Sequence, residues 1–212
     1  MILLSDPRVA AVPLRDNGEA LVDLREVPDL LVDPRLADPA GAYAHLRENA
    51  VDRLLAAQRA LPDGLRLLVV EGYRPLGLQK TYFDGYRDEL RLSYPDWDPA
   101  RLHVEASKYV SPPEVAPHST GGTVDLTLCT AEGVELDMGT LVNDSPLASG
   151  DACFTGSAVS AAARGNRDVL GTVLGAAGFV NYPTEWWHWS FGDRYWALST
   201  RAAATRYGPV EL

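Results

Sequence analysis

The sequence predicts an α+β domain in which helices flank a small antiparallel sheet. Three observations carry that expectation: apolar residues at three- and four-residue spacing in several segments, a strictly alternating run at Thr123–Leu128, and apolar stretches of strand length such as Leu65–Glu71 that are closely bounded by glycine.

In chain order, residues 9–27 read as a strand pair, with Asp16-Asn17-Gly18 supplying the positive φ of a tight hairpin. Asp38-Pro39 reads as an N-cap and first-turn proline. The helix that follows would present Tyr43, Leu46, Ala50, Leu54, Ala57 and Leu61 on one face and stop at Pro62-Asp63-Gly64. Leu65–Glu71 reads as a buried strand that delivers Tyr73-Arg74-Pro75 at its end. Helices are expected over residues 76–92 and from Asp98-Pro99 to a point before Ser111-Pro112-Pro113. Pro117 bars helix immediately before it, so His118 falls on a loop. In Thr123–Leu128 the period of two turns Val124, Leu126 and Leu128 toward a core and Thr123, Asp125 and Thr127 the other way. Glu132-Gly133 turns the chain toward a partner strand near 134–138, and a long loop follows over residues 139–156. A helix over 166–177 ends at Gly178. Strands at 179–182, 186–191 and 195–198 close the fold around Gly192-Asp193.

The 212 residues, 46% of them apolar, suffice for one core, so a single domain over 1–212 is expected, with 1–36 as strand pair and lead-in and 37–212 as catalytic core. A net charge of −10 argues against a nucleic-acid partner. The opening residues lack a basic n-region, and no apolar run reaches the length of a membrane span, which points to a cytoplasmic protein with no membrane partner. Cys129 and Cys153 are too few for a disulfide framework and read as small apolar residues.

The chemistry concentrates in two stretches, His118-Ser-Thr-Gly-Gly-Thr-Val-Asp125 and Glu185-Trp-Trp-His188, which hold two of the four histidines. A catalytic zinc takes three imidazole or carboxylate ligands and keeps a fourth position for water. His118, Asp125 and His188 meet that count, and Glu185 is the candidate base for a metal-activated water. One geometric condition follows. Residues three apart on a regular strand face opposite ways, so Glu185 and His188 can address one metal only if the strand is bulged or Glu185 belongs to the turn after Pro183-Thr184. Gly121-Gly122 would let the backbone fold between His118 and Asp125. Taken singly these residues are ordinary. Trp186, Trp187, Trp189 and Trp196 read as core packing.

Their joint order is not ordinary. Glu71-Gly-Tyr-Arg-Pro75, His118 through Leu128, Asp137-Met-Gly-Thr140, Asn166-Arg167, Gly178-Phe179 and Glu185-Trp-Trp-His188 resemble the zinc D-alanyl-D-alanine dipeptidases of the VanX type, over residues 40–198. The resemblance implies the fold shared by D,D-peptidases and the Hedgehog signalling domain, and one Zn²⁺ per chain on His118, Asp125 and His188. It further implies Glu185 as general base and Arg74 as catalytic arginine. A guanidinium opposite Glu185 can stabilise the oxygen on which charge grows during attack.

Two positions depart from the family pattern. Many members carry serine where this chain has Ala116, and an aspartate that pairs with the substrate amino group is replaced by Asn143, so that Asp144 would have to serve through a local shift. The implied activity is hydrolysis of D-alanyl-D-alanine or a similar free dipeptide. The alternatives are a zinc D,D-carboxypeptidase or endopeptidase acting on peptidoglycan stem peptides, and a noncatalytic zinc-binding module.

Overall fold

The computed structural model describes the whole chain, Met1–Leu212. Its elements are α1 (Pro7–Ala10), β1 (Leu21–Asp23), β2 (Leu31–Val32), β3 (His45–Arg47), α2 (Glu48–Arg59), β4 (Leu65–Glu71), α3 (Leu76–Ser93), α4 (Pro99–Ala106), β5 (Thr123–Thr130), α5 (Pro146–Ser149), α6 (Ala161–Ala176), β6 (Val180–Asn181), β7 (His188–Ser190) and α7 (Arg194–Thr200). Short 3₁₀ turns include Ala42–Ala44 and His118–Thr120.

The main sheet has the strand order β2-β4-β5-β7-β6 and is antiparallel except for the edge pair β2–β4. Helices flank it, as the α+β expectation requires. On β5 the alternation behaves as the sequence predicts: Val124, Leu126 and Leu128 are fully buried in the principal core. They meet Leu67 and Val69 of β4, Ala50 and Leu54 of α2, and Leu170 and Leu174 of α6 there. Each large apolar side chain so buried contributes about 1.5–3 kcal/mol. Trp186, Trp187 and Trp189 belong to the same core and Trp196 packs against it, so the tryptophans are structural. No helix is long and apolar enough to cross a membrane.

Residues 9–27 do not form a strand pair. The turn exists, with Gly18 at φ 75° and its N–H donating to Asp16 Oδ1 at 2.7 Å. Its two arms, however, bind elsewhere. Thr205 N donates to Pro13 O and Asn17 N to Arg206 O, while β1 pairs with β3 in the register Leu21↔Arg47. Distant partners displace the local hairpin.

The helix expected after Asp38-Pro39 starts only at Glu48. Asp38 does cap a turn, accepting from Ala40 N and Tyr43 N, but Gly41 at φ 69° ends it. The carbonyls of Tyr43 and His45 are taken by Gly72 N and Tyr73 N at 2.6 and 2.7 Å. Buried backbone groups must be paired, and here the end of β4 supplies the partners in place of a helical turn.

Four further differences lie in the second half, the first being the short helix α5, Pro146–Ser149, within the loop expected over residues 139–156. The strand expected near 134–138 reduces to a single bridge, Cys129↔Glu135. The last helix of that region starts at Ala161, ahead of the expected 166, because Ser160 Oγ caps Ala163 N at 3.0 Å. Tyr195–Leu198 is helical: Asp193 accepts from Trp196 N at 2.8 Å, an N-cap that overrides the strand preference of the aromatic residues.

Candidate active site

Glu71, Asp125 and His188 form one row across the sheet, with Glu71↔Asp125 paired between β4 and β5 and Asp125↔His188 between β5 and β7. Directly opposed residues project from the same face. Glu71 reaches that face only through the irregularity in β4 between Val69 and Glu71. In a regular strand it would follow Leu67 and Val69 into the core, so the bulge converts an inward position into a functional one.

His118 arrives from the 3₁₀ turn before β5. Gly121 closes that turn at φ 70°, and a Cβ there would lie 2.4 Å from Leu21 Cδ2. A Cβ on Gly122 would lie 2.2 Å from the backbone oxygen of Phe191, which bars a side chain there, while at Gly121 the positive φ itself makes one strained. His118 Nδ1 donates to Gly72 O at 2.7 Å. A carbonyl can only accept, so Nδ1 carries a hydrogen, an arrangement that in the neutral ring turns the lone pair of Nε2 toward Asp125 Oδ1, 3.4 Å away.

Glu185 belongs to the turn before β7, where Glu185 N donates to Tyr182 O and His188 N to Glu185 O. The second of the two geometric options therefore holds, and Glu185 Oε2 comes within 3.5 Å of His188 Nδ1. His118, Asp125, Glu185 and His188 are each no more than 4% exposed.

One donor atom from each of His118, Asp125 and His188 lies within 4.8 Å of the other two. The cluster is not satisfied by its own hydrogen bonds. His188 Nδ1 stands 3.0 Å from Asp125 Oδ1 without the alignment of a hydrogen bond, and Asp125 Oδ1 and His188 Nε2 are buried with no partner. A buried carboxylate oxygen without a partner is costly. The donor set, two imidazoles and a carboxylate, fits a divalent metal that would supply the missing contact.

The electrostatics favour the ligating forms of Asp125 and His188. Burial would raise the Asp125 carboxyl, but His118 and His188 outweigh it and hold Asp125 well below the usual carboxylate range. Burial lowers the His188 imidazole despite the opposing pull of Asp125, which favours the neutral ring. Glu185 moves the other way. Burial and then the charge of Asp125 push it well above the ordinary carboxylate value, with Arg74 only partly compensating.

Arg74 is held by a network that sequence reasoning missed. Its Nε donates to Glu71 Oε1 at 2.7 Å, its Nη2 to Glu71 Oε2, and its Nη1 to Gln79 Oε1 at 2.8 Å. Gln79 Nε2 in turn donates to Ser111 O and Oγ. Of the five guanidinium hydrogens, these bonds leave two free, one on each Nη. Burial disfavours the charge on Arg74, but Glu71 more than offsets this. The only sequence signal for the network was Glu71 opening the Glu71-Gly-Tyr-Arg-Pro75 run.

A cavity of about 370 Å³ is lined by His118, Asp125, His188, Glu185, Arg74 and Asn143 among others. Asp144 is not among its residues: its Oδ2 accepts from Leu141 N at 2.8 Å, and it lines a separate groove beside Trp186. The local shift that would bring Asp144 to the substrate is absent because that carboxylate caps its own turn. Ala116 is buried away from the cavity, whereas Ser111 lines it. Asn166 and Arg167 shape the loop that carries Asn143. Arg167 donates to the carbonyls of Met138, Ala152 and Phe154, and Asn166 to that of Asp137.

A buried His-Asp-His cluster flanked by a carboxyl of raised proton affinity and a fixed guanidinium, at the floor of a cavity, is the equipment of a metallopeptidase, and comparison with known proteins puts the chain in that class. The profile of peptidase family M15, D-ala-D-ala dipeptidase, matches residues 37–205, and the chain belongs to this family. It is 31% identical to a D-alanyl-D-alanine dipeptidase of Synechocystis sp. over 88% of this chain and 87% of the relative. It is 30% identical to a D-alanyl-D-alanine dipeptidase of Enterococcus faecium, covering 69% of this chain and 72% of that one. Among solved structures, the vancomycin-resistance D,D-pentapeptidase VanY in complex with Zn(II) superposes with a TM-score of 0.50 at 17% identity, covering 86% of this chain and 87% of that one, which shows a shared fold.

Proposed function

We propose that this chain is a zinc-dependent dipeptidase that hydrolyses D-alanyl-D-alanine or a similar small free dipeptide. The observation that carries the reading is the meeting of three donor atoms within 4.8 Å beside a buried carboxyl, Glu185, whose proton affinity is raised. The names of the relatives, matched over most of both chains, supply the substrate class.

In this reading His118, Asp125 and His188 hold one Zn²⁺, which when bound polarises the peptide carbonyl and acidifies a water. Glu185 takes the proton from the attacking water and passes it to the departing amine nitrogen, a task suited to a carboxyl whose pKa burial has raised. The two free N–H groups of Arg74 donate to the carbonyl oxygen as negative charge grows on it. Asn143 and Ser111, both in the cavity wall, would orient the substrate ends. Buried free thiols at Cys129 and Cys153 suit a reducing cytoplasm, where such an enzyme would remove the dipeptide used in cell-wall precursors.

The test is a panel of free alanyl-alanine dipeptides in all four chirality combinations, assayed with zinc and with chelator, for the wild type and Glu185→Ala. The D,D isomer should be cleaved fastest, only with metal, and Glu185→Ala should retain zinc but lose turnover. Equal activity of Glu185→Ala and wild type overturns the mechanism. Faster cleavage of a stem pentapeptide than of the free dipeptide would replace the reading with a carboxypeptidase.

A further inference from the structure

Leu4 stands in the wall of the cavity that holds His118, Asp125, Glu185 and His188, although it lies outside the 37–205 stretch matched by the family profile. The residue is only 2% exposed, so it lines the cavity as a packed wall. The segment around it is fixed at several points. Leu4 N donates to Tyr182 Oη at 3.1 Å, Tyr182 Oη donates to Ser107 O at 2.6 Å, and the hydroxyls of Ser5 and Ser107 are hydrogen-bonded at 2.7 Å. Leu4 packs with Val9, Val115, Tyr182 and Tyr195 in a cluster of its own. The Tyr182 ring meets the His188 ring edge-on, 5.8 Å between centroids, which places this wall beside a candidate metal ligand.

The chemistry of this part of the wall contrasts with that of the floor. His118, Asp125, Glu185 and Arg74 offer charge and hydrogen bonds, whereas Leu4 offers hydrocarbon. A methyl side chain loses nothing against hydrocarbon, but the N–H and C=O of an additional peptide unit pressed there would be stripped of water with no partner. Because the segment is bonded in place through Tyr182 and Ser107, the wall is built in before substrate arrives.

We propose that Leu4 is a specificity-determining residue that closes the cavity against peptides longer than two residues. The inference rests on the dipeptidase reading and deepens it: the limit on substrate length comes from Leu4, held in the cavity wall by the N-terminal segment.

The experiment compares kcat/KM for D-alanyl-D-alanine with that for N-acetyl-D-alanyl-D-alanine and tri-D-alanine in the wild type, Leu4→Ala and Leu4→Phe. Leu4→Ala should raise the ratio of long to short substrate by at least about tenfold, the scale on which removing side-chain volume from an apolar pocket shifts discrimination. Leu4→Phe keeps the apolar packing and fills the space, so it should raise KM for the free dipeptide itself. A wild type active on D-alanyl-D-alanine with an unchanged ratio in Leu4→Ala and an unchanged KM in Leu4→Phe overturns the inference alone. A wild type inert toward the dipeptide overturns the functional reading, and the inference falls with it.

Discussion

Glu71 and Arg74 are joined at two points inside the cavity: Arg74 Nε donates to Glu71 Oε1 at 2.7 Å while Nη2 engages Oε2. Both side chains are nearly withdrawn from water, at 4% and 10% exposure, so the pair fixes the guanidinium plane as well as its charge. Gln79 adds a third tether through Arg74 Nη1.

If the free face of Arg74 acts on the substrate oxygen, Arg74→Ala should lower kcat by about two to three orders of magnitude, the usual cost of removing a preorganised donor. Gln79→Ala should lower kcat by a smaller factor, and the double variant should be no worse than Arg74→Ala, because both losses pass through one group. Additive losses in steady-state kinetics would show that Gln79 acts elsewhere. Glu71→Ala is expected to cost about 3 kcal/mol of stability in urea unfolding, since it leaves a buried cation without its counter-ion.

The orphaned Asp125 Oδ1 and His188 Nε2 lead to a second expectation. A ligand that binds only the folded state stabilises it by about 2.7 kcal/mol at a hundredfold excess over Kd. Chelation should therefore lower Tm, restored zinc should raise it, and the Asp125→Ala variant should show neither response. Calorimetric scans in which wild type and Asp125→Ala respond alike to zinc would remove this cluster from consideration as the metal site.

What the sequence revealed of fold and site was local in origin. Asp125 could be placed on its face of β5 because a period of two survives without knowledge of neighbours, and Leu76–Ser93 because its apolar stripe and its proline-bounded start lie within one segment. Glu71 was invisible as a site residue because its orientation depends on a bulge set by pairing with β5. β1 was given the wrong partner for the same reason: its true partner, β3, lies beyond β2 and three 3₁₀ turns. The helix at Arg194–Thr200 was hidden by aromatic residues of high strand propensity, which a single Asp193 cap overrides. Leu4 illustrates the extreme case, since nothing in Met1–Ser5 itself indicates that Tyr182 and Ser107 will receive it.

The N-terminal region, residues 1–36, should respond to acid in a defined window. Three aspartates there share one device: Asp6, Asp23 and Asp33 each accept from the backbone N–H two residues on, at Arg8, Arg25 and Arg35, and each pairs with that arginine's side chain. The arginine side chains, with the backbone donors behind them, hold Asp6 and Asp23 at a pKa of about 2 and lower Asp33 as well. A carboxyl whose folded pKa lies below its unfolded value, about 3.9 for Asp, adds stability that is complete above the unfolded value and disappears as pH falls through the folded one. Protection factors for the Arg8, Arg25 and Arg35 amides should accordingly be constant from pH 7 to about 4 and decline between about 4 and 2. In strong salt, which screens pairs this exposed, the plateau should be lower and the decline should be complete at a higher pH. Asp23→Asn should reduce protection of Arg25 at pH 7 and flatten its acid response. Protection that stays level down to pH 2 in the wild type would mean that these turns are held by the chain around them and not by their carboxylates.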